Sequence, residues 1–145
     1  MNTAGAFDAV PQGPRQYRSH IRRRGPWLGL VPPAVAGVAA LWLVHGDGST
    51  LRGALGFLLA VMAAPTLLVA GVPLTTGASV YGLALVGGAV WWLALSAVAA
   101  RRATRVPVAT WADFWREYAW LAAGVAVGAV LALVAADLVL GRALL

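Results

Sequence analysis

Four long apolar runs separated by short polar connections set the pattern of this chain: residues 27–45, 51–72, 78–100 and 111–140. At 1.5 Å per helical residue the 19 residues from Trp27 to His45 span about 28 Å. That is close to the roughly 30 Å hydrocarbon core of a bilayer. The pattern predicts an all-α integral membrane protein with four transmembrane helices.

Several runs carry internal breakers. Pro32 and Pro33 lie one to two turns inside the first run, so its helix starts near them or kinks there. Pro65 falls two thirds of the way along the second run, which Gly71 and Pro73 close. The third run holds Gly87-Gly88 and the pair Trp91-Trp92, and stops abruptly at Arg101, Arg102 and Arg105. Ahead of the last run, Thr110 followed by Asp113 has the spacing of a capping box after a proline-containing linker. Trp111, Phe114, Trp115 and Tyr118 then fall at i, i+3, i+4 and i+7, with Asp113, Arg116 and Glu117 largely opposite. This amphipathic start is expected at the water–lipid boundary.

Residues 1–26 are polar and interrupted by prolines and glycines, which predicts a flexible Arg-rich cytoplasmic arm. Arg15, Arg18, Arg22, Arg23 and Arg24 form a positive-inside flank before the first run. Near an anionic leaflet each adds roughly 1 kcal/mol of attraction. With only Tyr17 interleaved, the arm lacks the aromatic content of a nucleic-acid binder, so no nucleic acid is expected. The Arg-rich flank and Ala34-Val35-Ala36 resemble a secretory signal, and Arg23-Arg24 a twin-arginine motif. A long polar stretch before them and three further apolar runs after them argue against cleavage.

Orientation has two readings. With four spans and the arm inside, Arg142 joins the five arm arginines, against Arg52, Arg101, Arg102, Arg105 and Arg116 outside: six against five. If the second run is instead a re-entrant helical hairpin bent at Pro65, the arm and the third linker share a side. The count is then nine against two, Arg52 and Arg142. Charge favours three spans plus the hairpin. Length favours four, because 22 residues suffice to cross and little polar surface justifies a buried hairpin.

Composition narrows the function classes. The chain is 61% hydrophobic and 11% charged, against about 25% charged in soluble domains. It has no cysteine, which removes disulfides and thiol chemistry, and no lysine. The Ala/Val/Arg-rich usage suggests a high-GC bacterium, hence a multi-pass protein of the cell membrane. Two histidines, His20 in the arm and His45 at the end of the first run, are too few for a metal site. Ser96 is the only serine well inside a run and is expected to bond its own helix backbone. No catalytic set, metal or cofactor is therefore expected. Trp91 and Trp92 lie too deep for an aromatic belt, and fit a gap between helices, a lipid face or a ring-shaped ligand.

Two feature sets remain as candidates. Small residues spaced by four, Gly124, Gly128, Ala132 and Ala136, form a regular stripe on the last run, and Gly56, Ala60 and Ala64 a shorter one on the second. Asp137 is the acid within the last run, with Arg52 and His45 as charge candidates that share its face in the re-entrant reading. Arg22, Arg23, Arg24, Arg101 and Arg102 are assigned to lipid headgroups and topology. Together these point to a small inner-membrane protein that acts through helix–helix contacts. It would serve as an accessory or assembly subunit of a larger complex, or as a homo-oligomer. The alternative is a small oligomeric transporter, flippase or channel that uses Asp137. The expected partners are the bilayer and other membrane proteins, or copies of the chain.

Overall fold

The computed structural model of the chain describes residues 14–45, 49–71 and 77–139, without the side chains of residues 14, 15, 136, 137 and 139. Every regular element among these residues is an α-helix: α1 (Pro14–Leu28), α2 (Val31–Val44), α3 (Thr50–Ala63), α4 (Thr66–Val69), α5 (Ala78–Ala103) and α6 (Trp111–Val139). Three stretches are long and apolar enough to cross a membrane: Gln16–Val44, which joins α1 to α2, Ala78–Ala103, and Trp111–Ala135. The exterior is apolar to match, with Trp27, Trp42, Leu83 and Trp120 each more than two thirds exposed.

The second run does not form a helix of that length. α3 stops at Ala63, Ala64 swings to φ −139°, ψ 83°, and Pro65 supplies no N–H to continue the ladder. The 14 residues of α3 rise about 21 Å, short of a roughly 30 Å hydrocarbon core. α4 adds one turn, and Gly71 ends it at φ 75°, the left-handed conformation that glycine adopts without strain. Counting apolar residues gave a single span here because length says nothing about a missing donor.

The helix also begins earlier than the expected boundary at Trp27. α1 starts at Pro14, where the first helical position needs no N–H, and it carries Pro26 inside it. Ile21 anchors it, fully buried in a cluster with Ala99, Ala100, Ala103, Phe114 and Tyr118. Residues 14–26 are thus packed helix where an irregular arm was expected; residues 1–13 of that arm lie outside the described residues.

Contacts give the direction of each helix. Arg18 donates to the Thr104 carbonyl at 2.8 Å and Arg22 Nε to Thr104 Oγ1 at 2.9 Å, so α1 runs antiparallel to α5. Farther along, Gly25 faces Ala100 and Gly29 faces Ser96. α6 runs parallel to α1, with Phe114 beside Gly25 and Tyr118 beside Gly29. α2 and α3 are antiparallel, with Gly56 against Ala40 and Val44 and Gly37 against Ala63. From Ala64, which touches Gly88, the chain turns so that Thr66 Oγ1 donates to the Ala84 carbonyl and Leu67 packs on Ala84. Those contacts step back toward the start of α5. α3 and α4 therefore enter and leave at the distal end of the bundle, where α2 finishes. The proximal end carries the start of α1, the Thr104 turn and the start of α6.

The capping box forms as the spacing predicts. Thr110 N–H and Oγ1 donate to Asp113 Oδ2 at 3.0 and 2.7 Å, and Asp113 N–H donates to Thr110 Oγ1 at 3.3 Å. The aromatic stripe is a single helix face, but a buried one: Phe114 and Tyr118 pack into the α1–α5 interface, while Trp115 stays 39% exposed. At the same end Arg102 pairs with Glu117 at 3.4 Å, tying α5 to α6.

Gly29 is the tightest point of the α1–α5 contact. A Cβ there would collide with Ser96 Oγ and sit 2.5 Å from Ser96 Cβ. Gly29→Ala should lower stability in detergent by about 1–3 kcal/mol, as overpacking does, seen as a reduced thermal midpoint. Gly82→Ala, with nothing within 4 Å of its Cβ, should stay within about 0.5 kcal/mol of the parent. Equal midpoints for the two variants would show that α1 and α5 do not meet at Gly29.

Candidate functional site

Prolines create the chemistry at the centre of the bundle. In an α-helix each carbonyl accepts from the N–H four residues on, so a proline leaves the acceptor four residues before it without that donor. Pro33 does this to Gly29, at the turn between α1 and α2. The Tyr118 hydroxyl, from α6, donates to the Gly29 carbonyl at 2.8 Å in a buried bond. A second break lies at Pro65. There the Leu67 N–H bonds Ala64 O at 2.9 Å rather than continuing the helix to Ala63. The Ala63 carbonyl instead accepts from Trp92 Nε1, on α5, at 2.9 Å. The two donors touch, with ring centroids 5.9 Å apart and planes tilted by 38°.

Small residues let these donors reach. Ser96 is fully buried and turns its hydroxyl to Trp92 O at 2.6 Å on its own helix, as expected from sequence, which leaves room for Gly29 alone. Gly88 admits the break itself, since a Cβ there would lie 2.8 Å from Ala64 Cβ.

Beside the Trp92–Tyr118 pair is a half-open crevice of about 130 Å³, lined by Pro32, Pro33, Met62, Trp92, Tyr118 and Val125 among others. It is near the size of a ~150 Å³ apolar cavity that takes up benzene. The Tyr118 hydroxyl is its one reactive group and is engaged with Gly29. The crevice suits one ring or a few methylene groups and supplies no acid, base or nucleophile. A second apolar crevice of about 290 Å³ lies at the distal end between α2, α3 and α5, bordered by Leu41, Phe57, Tyr81 and Leu85.

The sequence-predicted packing residues divide sharply. Gly56 is buried against α2, whereas Ala60 packs on the Ala64–Leu67–Ala84 cluster and Ala64 is buried against Gly88, so the shorter stripe is divided between two internal contacts. The longer one is not: a Cβ on Gly124 or Gly128 would meet nothing within 4 Å, and Ala132 is exposed. The Ala136 side chain lies outside the described residues. His45 caps α2 and donates from Nδ1 to its own helix at Leu41 O, 2.8 Å away. Arg52 lies 5.4 Å over the Trp42 ring. Asp137 stands in the last turns of α6, at the same distal end as Arg52 and His45; its side chain lies outside the described residues. Arg22, Arg23, Arg24, Arg101 and Arg102 gather at the proximal end, with Arg22 on Thr104 and Arg102 on Glu117.

Among the described residues no three His, Cys, Asp or Glu side chains converge as a metal site would require. Trp92, Tyr118, Thr66 and Thr104 were not singled out as hydrogen-bonding partners from sequence. The available signal was that each of the four apolar runs contains a proline or an aromatic donor inside it. No protein-family model matches the chain, and no curated protein or solved structure matches it either.

Removing the Tyr118 hydroxyl should expose the role of Pro33. Tyr118→Phe is expected to cost about 1–2 kcal/mol, the range for an apolar-phase hydrogen bond or an unpaired buried acceptor. In a Pro33→Ala background residue 33 regains an N–H able to serve Gly29, so the same substitution should cost less than half as much. A double-mutant cycle read by unfolding in micelles checks this, and full additivity would remove the link between the two residues.

Proposed function

We propose that this chain is a small polytopic protein of the cell membrane, with three spans and a re-entrant helical hairpin formed by α3 and α4. It acts through helix–helix contacts, as an accessory or assembly subunit of a larger membrane complex or as a homo-oligomer. The topology is supported by the entry and exit of α3 and α4 at the distal end, and by charge. Eight of the nine arginines with described side chains lie at the proximal end, leaving Arg52 distal. A positive-inside orientation makes the proximal end cytoplasmic. Backbone broken at this depth is tolerated where protein surrounds it, and the Trp92 bond to Ala63 meets that condition.

The observation that carries the contact reading is the open face of α6. In lipid, helices associate through close approach at small residues rather than through hydrophobicity. The chain does this internally at Gly29–Ser96 and Gly88–Ala64, yet among the described residues Gly124 and Gly128 have no neighbour within 4 Å of a Cβ and Ala132 is exposed. A partner helix, from another protein or a second copy, is the surface that matches. The transporter reading keeps one point in its favour: transporters build substrate sites at discontinuous helices. Here one of the carbonyls released at the break, that of Ala63, is already bonded to Trp92, which favours the contact reading.

Because the chain has no cysteine, single cysteines report topology directly. Ser49→Cys and Gly77→Cys should be labelled by an impermeant maleimide from the same side of the membrane, and Val108→Cys from the other. Labelling of positions 49 and 77 from opposite sides would restore four spans. For the contact reading, Gly128→Leu should abolish co-purification of stoichiometric partners, or self-assembly, at unchanged expression. Asp137→Asn should leave assembly intact. A chain recovered as a monomer without partners, before and after Gly128→Leu, would overturn it.

A further inference from the structure

At the proximal end α1 and α5 leave a groove of about 560 Å³ on their outer side, lined by Arg22, Arg101, Arg105, Pro26, Ala97 and Ala100. Three guanidiniums border it and no carboxylate does. The acids described at this end sit on α6 and are engaged elsewhere: Asp113 in the capping box and with Arg116 at 3.3 Å, Glu117 with Arg102 at 3.4 Å. Among the described residues the guanidiniums of Arg101 and Arg105 have no hydrogen-bond or ion-pair partner.

Arg22 is held in place. Its Nε donates to Thr104 Oγ1 at 2.9 Å, and that fully buried hydroxyl donates in turn to Ala100 O at 2.8 Å. This fixes the guanidinium while leaving its two terminal nitrogens uncommitted among the described residues. Such a pre-oriented fork suits the paired oxygens of a phosphate. The last carbonyls of α5 oppose an anion here, but Arg18 already covers the Thr104 carbonyl at 2.8 Å. The floor is apolar and made of small side chains, so the groove offers charge at its rim and a hydrocarbon-compatible channel beneath.

We infer that this groove binds an anionic phospholipid, with the phosphate on Arg22, Arg101 and Arg105 and the upper acyl chain along Pro26 and Ala97. A free phosphate would satisfy the arginines but leave the apolar floor uncovered; a zwitterionic lipid would cover the floor but bring a cation to three arginines. The inference rests on the membrane reading and is independent of what α6 contacts.

The test uses the full chain in neutral detergent, titrated with phosphatidylglycerol, phosphatidylcholine of the same chains, and inorganic phosphate, and read by native mass spectrometry. Phosphatidylglycerol should bind about tenfold or more tightly than phosphatidylcholine, and millimolar inorganic phosphate should not displace it. The pair Arg101→Gln and Arg105→Gln should lose about tenfold in affinity, while Arg23→Gln with Arg24→Gln, an equal loss of charge outside the groove, should change it less than about threefold. Ala97→Trp, which fills the floor without altering charge, should weaken the lipid alone and guards against misfolding of the arginine variant. Equal losses in the two arginine pairs would mean diffuse surface attraction and overturn the site. Displacement by inorganic phosphate would make it a free-anion site and overturn the lipid assignment. Release of the chain from membranes by carbonate washing would instead sink the membrane reading itself.

Discussion

A carbonyl shut away from water needs a donor, and the central half of this bundle is arranged to supply two. An unpaired buried acceptor costs about 1–3 kcal/mol, and lipid offers no water to relieve it. Pro33 and Pro65 each interrupt a helix inside an apolar run, and each break is met by a side chain from another helix: Tyr118 of α6 on Gly29, and Trp92 of α5 on Ala63. These two bonds fix where α6 lies along the first membrane-length stretch and where the α3–α4 break lies along α5. The contact between the two rings joins both arrangements into one.

The helices joined by these two bonds also pack closely, and glycines fall at the points of nearest approach. Gly25 and Gly29 let α1 settle on Phe114, Ala100 and Ser96, and Gly88 lets Ala64 approach to within what a methyl would forbid. The proximal half of the molecule is accordingly the better packed, with Ile21, Ala99 and Phe114 fully buried. The distal half is held mainly by α3 against α2 and keeps a larger crevice. Polar bonds follow the same gradient, since Arg18, Arg22, Thr104, Arg102 and Glu117 all lie proximal.

Features carried by local spacing were legible in the sequence. The apolar runs, the Thr110–Asp113 box and the self-bonded Ser96 depend on residues a few positions apart, and each is present. Features that depend on distant partners were not. The stripe from Trp111 to Tyr118 was correctly read as one face, but periodicity cannot say whether a face meets lipid or protein, and Ile21 and Gly25 supply the protein. The helix over 14–26 was hidden because its residues are polar; its support comes from α5 and α6, far along the chain. Pro65 raised the re-entrant alternative, and the arginine count favoured it. The side chain that meets the break, Trp92, lies 27 positions later and carries no local mark.

The exposed face of α6 has a different meaning in lipid than in water. In water an apolar helix left uncovered is driven to associate; in lipid the surrounding chains are as apolar as leucine, and exposure alone exerts no such drive. Val127 and Leu131, both more than half exposed, therefore call for no partner. Gly124 and Gly128 differ because they forgo side-chain contact with lipid and leave the backbone accessible along one line. At Gly29 and Gly88 another helix occupies the space, whereas Gly82 in α5 stands as open as Gly124 and Gly128. The proposed contact therefore rests on spacing rather than on any single glycine, since Gly124, Gly128 and Ala132 recur every four residues along one open line; the proposed lipid groove rests on charge held at the mouth of an apolar channel.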